Sequence, residues 1–299
     1  MLGAARGRAQ TLRRLELLVT RRLDGYLQGD YRGLIAGHGT ELGETREYQP
    51  GDDVRRIDWN VTARLRQPHI RETIADRELE TWILLDRSPS LDFGTAQLEK
   101  RDIAFAATAA IGFLTARAGN RIGFIMAGSD STAALPARSG RRHLQALLHR
   151  ASNSPRSEGP GSIDLAAAVR GLATPHRPRG LAVVISDFLA PVGWGHELGR
   201  LATRHEVLAI EIVDPRELEL PDVGLLVLED PETGRRRTIQ TGSAKLRRRY
   251  AEAAVEQRET IASSVRGAGA SHLQLCTDRD WLGDIIRWVQ TSRRVGGRR

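Results

Sequence analysis

A chain of 299 residues with 40% hydrophobic, 27% charged and 5% aromatic residues holds enough apolar material for one large core or two modest ones, which excludes an unfolded chain. The single cysteine, Cys276, excludes an intrachain disulfide and a multi-cysteine zinc site, and it points to a reducing compartment. The net charge of +8 rests almost wholly on arginine, since Lys100 and Lys245 are the only lysines, and arginine suits carboxylates and phosphates on acidic partners.

In chain order, Leu12, Leu15, Leu18, Val19 and Leu23 recur at three- and four-residue spacing and predict a helix. Met1 to Arg22 carries scattered arginines where a signal peptide would be apolar. The longest uncharged stretch, Ile103 to Ala116, is shorter than the roughly 20 residues a membrane-spanning helix needs. A cytoplasmic protein with no transmembrane segment is therefore expected. From Gly33 to about Glu78 the chain is dense in Gly, Asp and Arg, with a turn signal at Gln49-Pro50-Gly51-Asp52, so short strands and loops are expected and residues 1–79 form a first region.

After Glu80 apolar strands alternate with amphipathic helices. Strands are predicted at Thr81–Leu85, Arg121–Met126, Ser131–Leu135 as an edge, Leu181–Ile185, Val207–Val213 and His272–Cys276. Helices are predicted at Leu98–Arg117, Arg141–Arg150, Leu165–Leu172, Trp194–Thr203, Ala244–Arg266 and Trp281–Val289, with a hairpin at about 223–241. This order predicts an α/β domain over 80–292 built on a doubly wound, mostly parallel sheet, followed by a basic tail at 293–299.

Ligands of such sheets bind beyond the carboxyl ends of the strands. Two predicted strands end in acids: Leu85-Asp86-Arg87-Ser88-Pro89-Ser90 sets a carboxylate and two hydroxyls at alternate positions, and Ile185-Ser186-Asp187 adds a second carboxylate. Hard oxygen donors of this kind suit Mg²⁺ or Mn²⁺. A short D-x-S-x-S match is equally an Asx-turn with a serine cap. The pattern resembles the von Willebrand factor A-like domain, whose metal-ion-dependent adhesion site combines D-x-S-x-S with a threonine loop and a later aspartate loop. The resemblance assigns Asp86, Ser88 and Ser90 to the first loop and Asp187 to the third. Gly161-Ser162-Ile163-Asp164 aligns with the threonine loop but places Ile163 where the hydroxyl belongs, leaving Ser162 or Asp164 as substitutes or the site degenerate.

A second resemblance is longer. Gly37-His38-Gly39, the run Arg46-Glu47-Tyr48-Gln49-Pro50-Gly51-Asp52-Asp53-Val54-Arg55-Arg56-Ile57-Asp58-Trp59, and Thr62-Ala63-Arg64 resemble the signature of the bacterial family called domain of unknown function 58, or DUF58. The resemblance implies an A-like domain and an association with MoxR-type AAA+ ATPases in assembly or maturation of client proteins. Without the family, Asp52, Asp53 and Asp58 among Arg46, Arg55, Arg56 and Arg64 read as an ion-pair network fixing irregular loops; the arginines would compete with a catalytic metal for these carboxylates. P-loop, nucleophile-elbow and H-E-x-x-H motifs are missing. The expectation is a non-enzymatic adaptor. Nucleic-acid binding through the acid-free stretches Arg235–Arg249 and Arg287–Arg299 is the alternative, and a metal-dependent hydrolase a third.

Overall fold

The computed structural model describes residues 45–49, 54, 57–71 and 80–296 apart from 97, 118, 130, 131, 157, 158, 175, 176 and 192, together with 17, 21 and 22. His38, Asp52, Asp53, Arg55 and Arg56 lie outside the described residues, as do most of the predicted N-terminal helix and positions 297–299 of the basic tail. The described residues fall into two compact units, one within 36–78 and the other outside it.

In the smaller unit, β1 (Thr45–Glu47) pairs antiparallel with β2 (His69–Arg71), setting Thr45 opposite Arg71 and Glu47 opposite His69. Between them runs α1 (Trp59–Leu65), a helix added to the predicted strands and loops. It starts at Asp58, whose Oδ1 accepts from the Asn60 and Val61 N–H groups at 3.1 and 3.3 Å and so satisfies donors left open at the helix end. Thr62 Oγ1 accepts from His69 N–H at 3.0 Å, fastening the helix to β2.

The larger unit follows the predicted alternation. Its strands and helices are β3 (Glu80–Asp86), α2 (Lys100–Arg117), β4 (Arg121–Ala127), β5 (Thr132–Arg138), α3 (Arg141–Asn153), α4 (Leu165–Leu172), β6 (Gly180–Ser186), α5 (Trp194–Ala202), β7 (Glu206–Val213), α6 (Pro215–Leu218), β8 (Leu225–Glu229), β9 (Arg236–Gln240), α7 (Ala244–Gly267), β10 (Ser271–Cys276) and α8 (Trp281–Gly296). Six strands form one sheet in the order β10-β7-β6-β3-β4-β5, parallel except for β5. β5 extends beyond its predicted end through Pro136; a missing N–H is tolerated there because the strand lies at the sheet's edge. β8 and β9 pair as a separate antiparallel ribbon.

The sheet divides the core by the two-residue period of its strands. Ile83 and Leu85 of β3, Val183 and Ile185 of β6, and Ile210 and Ile212 of β7 face one layer with Ile103 and Ile111 of α2, Leu144 and Leu148 of α3 and Ile285 of α8. Trp82 and Leu84, Val184 and Ala209 face the other layer, against Leu165 and Val169 of α4, Leu198 of α5 and Ile261 and Val265 of α7. Burial on both faces explains why these strands read as continuous apolar runs. Each fully buried aliphatic side chain contributes about 1.5–3 kcal/mol. α3 and α4 bury residues at helical spacing, Leu144, Leu147, Leu148 and Ala151 in one and Leu165, Ala168, Val169 and Leu172 in the other. Gly123 sits opposite Trp82 in the register of β3 and β4, where a Cβ would meet the indole at 2.6 Å.

Candidate functional site

The chain leaves β3 toward β4 on one side and later returns to β6 on the other, so the strand order reverses between β3 and β6. A crevice at such a reversal is the usual ligand position of an open α/β sheet. Asp86 ends β3, and Asp187 follows Ser186 at the end of β6. Asp86 Oδ1 accepts from Ser88 N–H at 2.7 Å, turning the chain into the 3-10 turn at Pro89–Asp92. The Ser88 and Ser90 hydroxyls lie 2.9 Å apart, and Ser90 also hydrogen-bonds the Asp187 carboxylate. Ser186 Oγ donates to Asp86 Oδ2 at 2.5 Å and accepts from Phe188 N–H at 3.0 Å. Phe188 holds φ at 56°, in the left-handed region, with its ring 5.0 Å from that of Trp194. Asp86, Ser88, Ser90 and Asp187 are thus brought together, and all four are buried.

Burial and the neighbouring Asp187 charge push the Asp86 carboxyl up to about 7. Asp187 moves the other way: burial acts to raise it, but the Lys100 ammonium overrides burial and holds the carboxyl below its ordinary value. Lys100 opens α2 with a side chain 0% exposed, donating to Asp187 Oδ2 at 2.8 Å and to Glu217 Oε1 at 2.5 Å. Burial acts to lower its pKa, and the two carboxylates more than compensate. Glu217 Oε2 accepts from Arg258 at 3.0 Å, and Arg258 also donates to Glu211 Oε1 at 2.9 Å. His272 Nε2 and Glu211 Oε2 lie 2.9 Å apart at the far end of this buried chain of charges. Sequence reasoning missed Lys100, Glu211, Glu217 and Arg258. One signal was present: a lysine at the head of an apolar helix, in a chain that otherwise uses arginine almost everywhere.

The threonine-like loop takes a different course. Ile163 is 4% exposed and packs in the core with Leu165 and Trp194. Asp164 caps α4, its Oδ1 accepting from Ala167 N–H at 2.7 Å, and its side chain is 67% exposed. Ser162 is exposed. Among the described residues no group of three or more His, Cys, Asp or Glu side chains is placed to hold a metal. The strand-end cluster instead offers two carboxylates and two hydroxyls, a donor set that fits a hard divalent cation retaining several waters. Asp86 and Asp187 are also a buried pair of carboxyl groups, and the charge of Asp187 is one cause of the raised Asp86 value.

The β8–β9 ribbon exposes Leu225 and Val227, 72% and 61% accessible. At its tip, burial and the charge of Asp187 raise the Glu232 carboxyl, so this turn lies within the electrostatic reach of the cluster. The basic stretch 235–249 is divided between β9 and α7, and two of its arginines are paired, Arg236 with Glu229 at 2.7 Å and Arg247 with Asp222 at 3.0 Å. No helix among the described residues is long and apolar enough to cross a membrane.

Comparison with known proteins places this geometry in context. An uncharacterized protein of Mycobacterium tuberculosis is 53% identical over 286 residues, covering 96% of this chain and 90% of the relative. Similar solved structures include an aerotolerance-related membrane protein from Bacteroides fragilis, with a TM-score of 0.48 and 14% identity over 71% of this chain and 97% of that one. Another is a von Willebrand factor type A protein from Catenulispora acidiphila, with a TM-score of 0.38 and 11% identity over 75% of this chain and 43% of that one. The family described as "Protein of unknown function DUF58" matches residues 44–260, and the chain belongs to that family.

Proposed function

We propose that this protein is a non-enzymatic, cytoplasmic binding module that works with a MoxR-type AAA+ ATPase in assembling or maturing client proteins, and that its contact site is the strand-end cluster. The observation that carries the reading is the convergence of Asp86, Ser88, Ser90 and Asp187 at the reversal of strand order. These four side chains would hold Mg²⁺ or Mn²⁺, and the ion, when bound, supplies an open coordination position for a partner's Asp or Glu. The protein's own part is to hold the donors in place: Ser186 and the Ser88 amide fix Asp86, while Lys100 and the Leu189 amide fix Asp187. Leu225 and Val227 on the adjoining ribbon add apolar contact area. The ATPase partnership rests on the family association, not on any one side chain.

The test is capture from a native extract with the full chain as bait. Recovery of an AAA+ ATPase in millimolar Mg²⁺, lost with EDTA and lost with Asp86→Ala, is the expected result. Recovery that ignores both changes would remove the cluster from the contact.

A further inference from the structure

Lys100 raises a question that the cluster alone does not answer. Its ammonium is fully buried and donates to Asp187 Oδ2 at 2.8 Å, and Asp187 is one of the two carboxylates assigned above to a divalent cation. Two cations that draw on one buried carboxylate repel each other, because little solvent screens them. The ammonium has a second partner, Glu217 Oε1 at 2.5 Å. Glu217 is anchored without Lys100: its Oε2 accepts from Arg258 at 3.0 Å and from the Asp214 N–H at 3.2 Å, closing the capping box of α6. The ammonium therefore has two carboxylate seats, and only one of them belongs to the cluster.

Resting on the binding-site reading above, we propose that Lys100 is a tethered counter-ion of this site: it neutralises Asp187 in the metal-free protein and withdraws toward Glu217 when a divalent cation binds, thereby setting the cation affinity. The placement explains how two carboxylates are buried side by side in a folded protein before any metal arrives. Asp187 is neutralised by a charge the chain itself supplies. It also makes Lys100 a positioning residue that fixes the orientation of Asp187, and not a ligand, since an ammonium has no free electron pair to give a metal.

Mn²⁺ titration calorimetry on the full chain tests this with four proteins: wild type, Lys100→Gln, Glu217→Gln and the double variant Lys100→Gln/Glu217→Gln. Lys100→Gln is expected to bind Mn²⁺ at least tenfold more tightly, and Glu217→Gln several-fold more weakly, because the ammonium then has no second seat. The double variant carries the decisive contrast. It removes one positive and one negative charge, so a passive field effect leaves its affinity near that of wild type, whereas loss of a competitor for Asp187 makes it bind several-fold more tightly. It also preserves the buried charge balance should Lys100→Gln alone fail to fold, which circular dichroism would report. Wild-type affinity in the double variant, with Mn²⁺ bound by all the folded proteins, overturns the counter-ion role and leaves the site standing. Absence of Mn²⁺ binding in all four overturns the site and the counter-ion role together.

Discussion

Ser186 Oγ donates to Asp86 Oδ2 at 2.5 Å across 100 residues of sequence, joining the carboxyl ends of β6 and β3 through side chains where the backbone ladder stops. This bond and the one from the Ser88 amide both favour the ionised carboxylate. Burial beside Asp187 outweighs them and holds Asp86 at about 7. The cluster is therefore under electrostatic load, and that load has measurable consequences.

The first concerns pH. An unfolded aspartate titrates near 3.9, while folded Asp86 titrates at about 7. Between these values the folded state retains a proton that the unfolded state releases, so stability falls as pH rises through the window and stays low above it. The penalty at pH 8 is on the order of a few kcal/mol. In EDTA, Asp86→Asn should melt several degrees above wild type at pH 8, with the gap closing as pH is lowered toward 4. Asp187 has the opposite sign: its lowered pKa contributes stability above the unfolded value that is lost in acid. Equal melting of Asp86→Asn and wild type at pH 8 would mean that Asp86 carries no such load.

Cation binding should reverse the penalty. A ligand that binds only the folded state adds RT ln(1 + [L]/Kd), about 2.7 kcal/mol at a hundredfold excess over Kd. For a domain of this size that corresponds to a rise in Tm of roughly 5–10 °C. Millimolar Mn²⁺ should raise the Tm of wild type at pH 8 and leave Asp86→Ala unmoved, as followed by differential scanning calorimetry. The same rise in both proteins would locate the binding elsewhere.

How far the sequence could be read depended on whether the determining contacts are local. Asp86 and Asp187 were legible because each follows a continuous apolar run, and a run that stops at an acid marks a strand end whether or not its neighbours are known. The helix at Leu165–Leu172 was legible because its stripe has the 3.6-residue period. Lys100 was not read as a site residue, since its partners lie 87 and 117 positions away and no periodicity connects a helix start to a distant carboxylate. Ile163 could be read as a missing ligand; only the fold shows the position filled by a core side chain. The turn-rich composition around Asp58 hid a seven-residue helix, although an aspartate cap was in the sequence.

Ile163 gives the third prediction. Restoring a threonine at this position is the obvious way to complete the adhesion-site pattern. Because Ile163 is 4% exposed within an apolar layer, Ile163→Thr replaces its ethyl branch by a hydroxyl and places a polar group in that layer. The expected outcome is a loss of about 1–3 kcal/mol in urea unfolding. Mn²⁺ affinity should stay unchanged. A tenfold gain in affinity would show that the loop turns its side chain to the cluster.

The last prediction separates a protein partner from nucleic acid through the basic stretch 235–249. Both partners are acidic, but they use the arginines differently. A carboxylate held at a bound cation depends on Asp86, so capture of the ATPase should vanish with Asp86→Ala or EDTA and be only weakened when Arg247, Arg248 and Arg249 become alanine. Phosphate contacts depend on counterion release, so nucleic-acid affinity should collapse in the triple variant, fall steeply with salt and ignore Asp86→Ala. The pairing of Arg236 with Glu229 and of Arg247 with Asp222 leaves less charge for phosphate than the sequence count implies. The expected pattern is the first, with DNA bound no more tightly than the roughly 10⁻⁴–10⁻⁶ M typical of non-specific contacts at physiological salt. Submicromolar DNA binding that persists in EDTA, with no ATPase captured, would overturn the adaptor reading in favour of the nucleic-acid one.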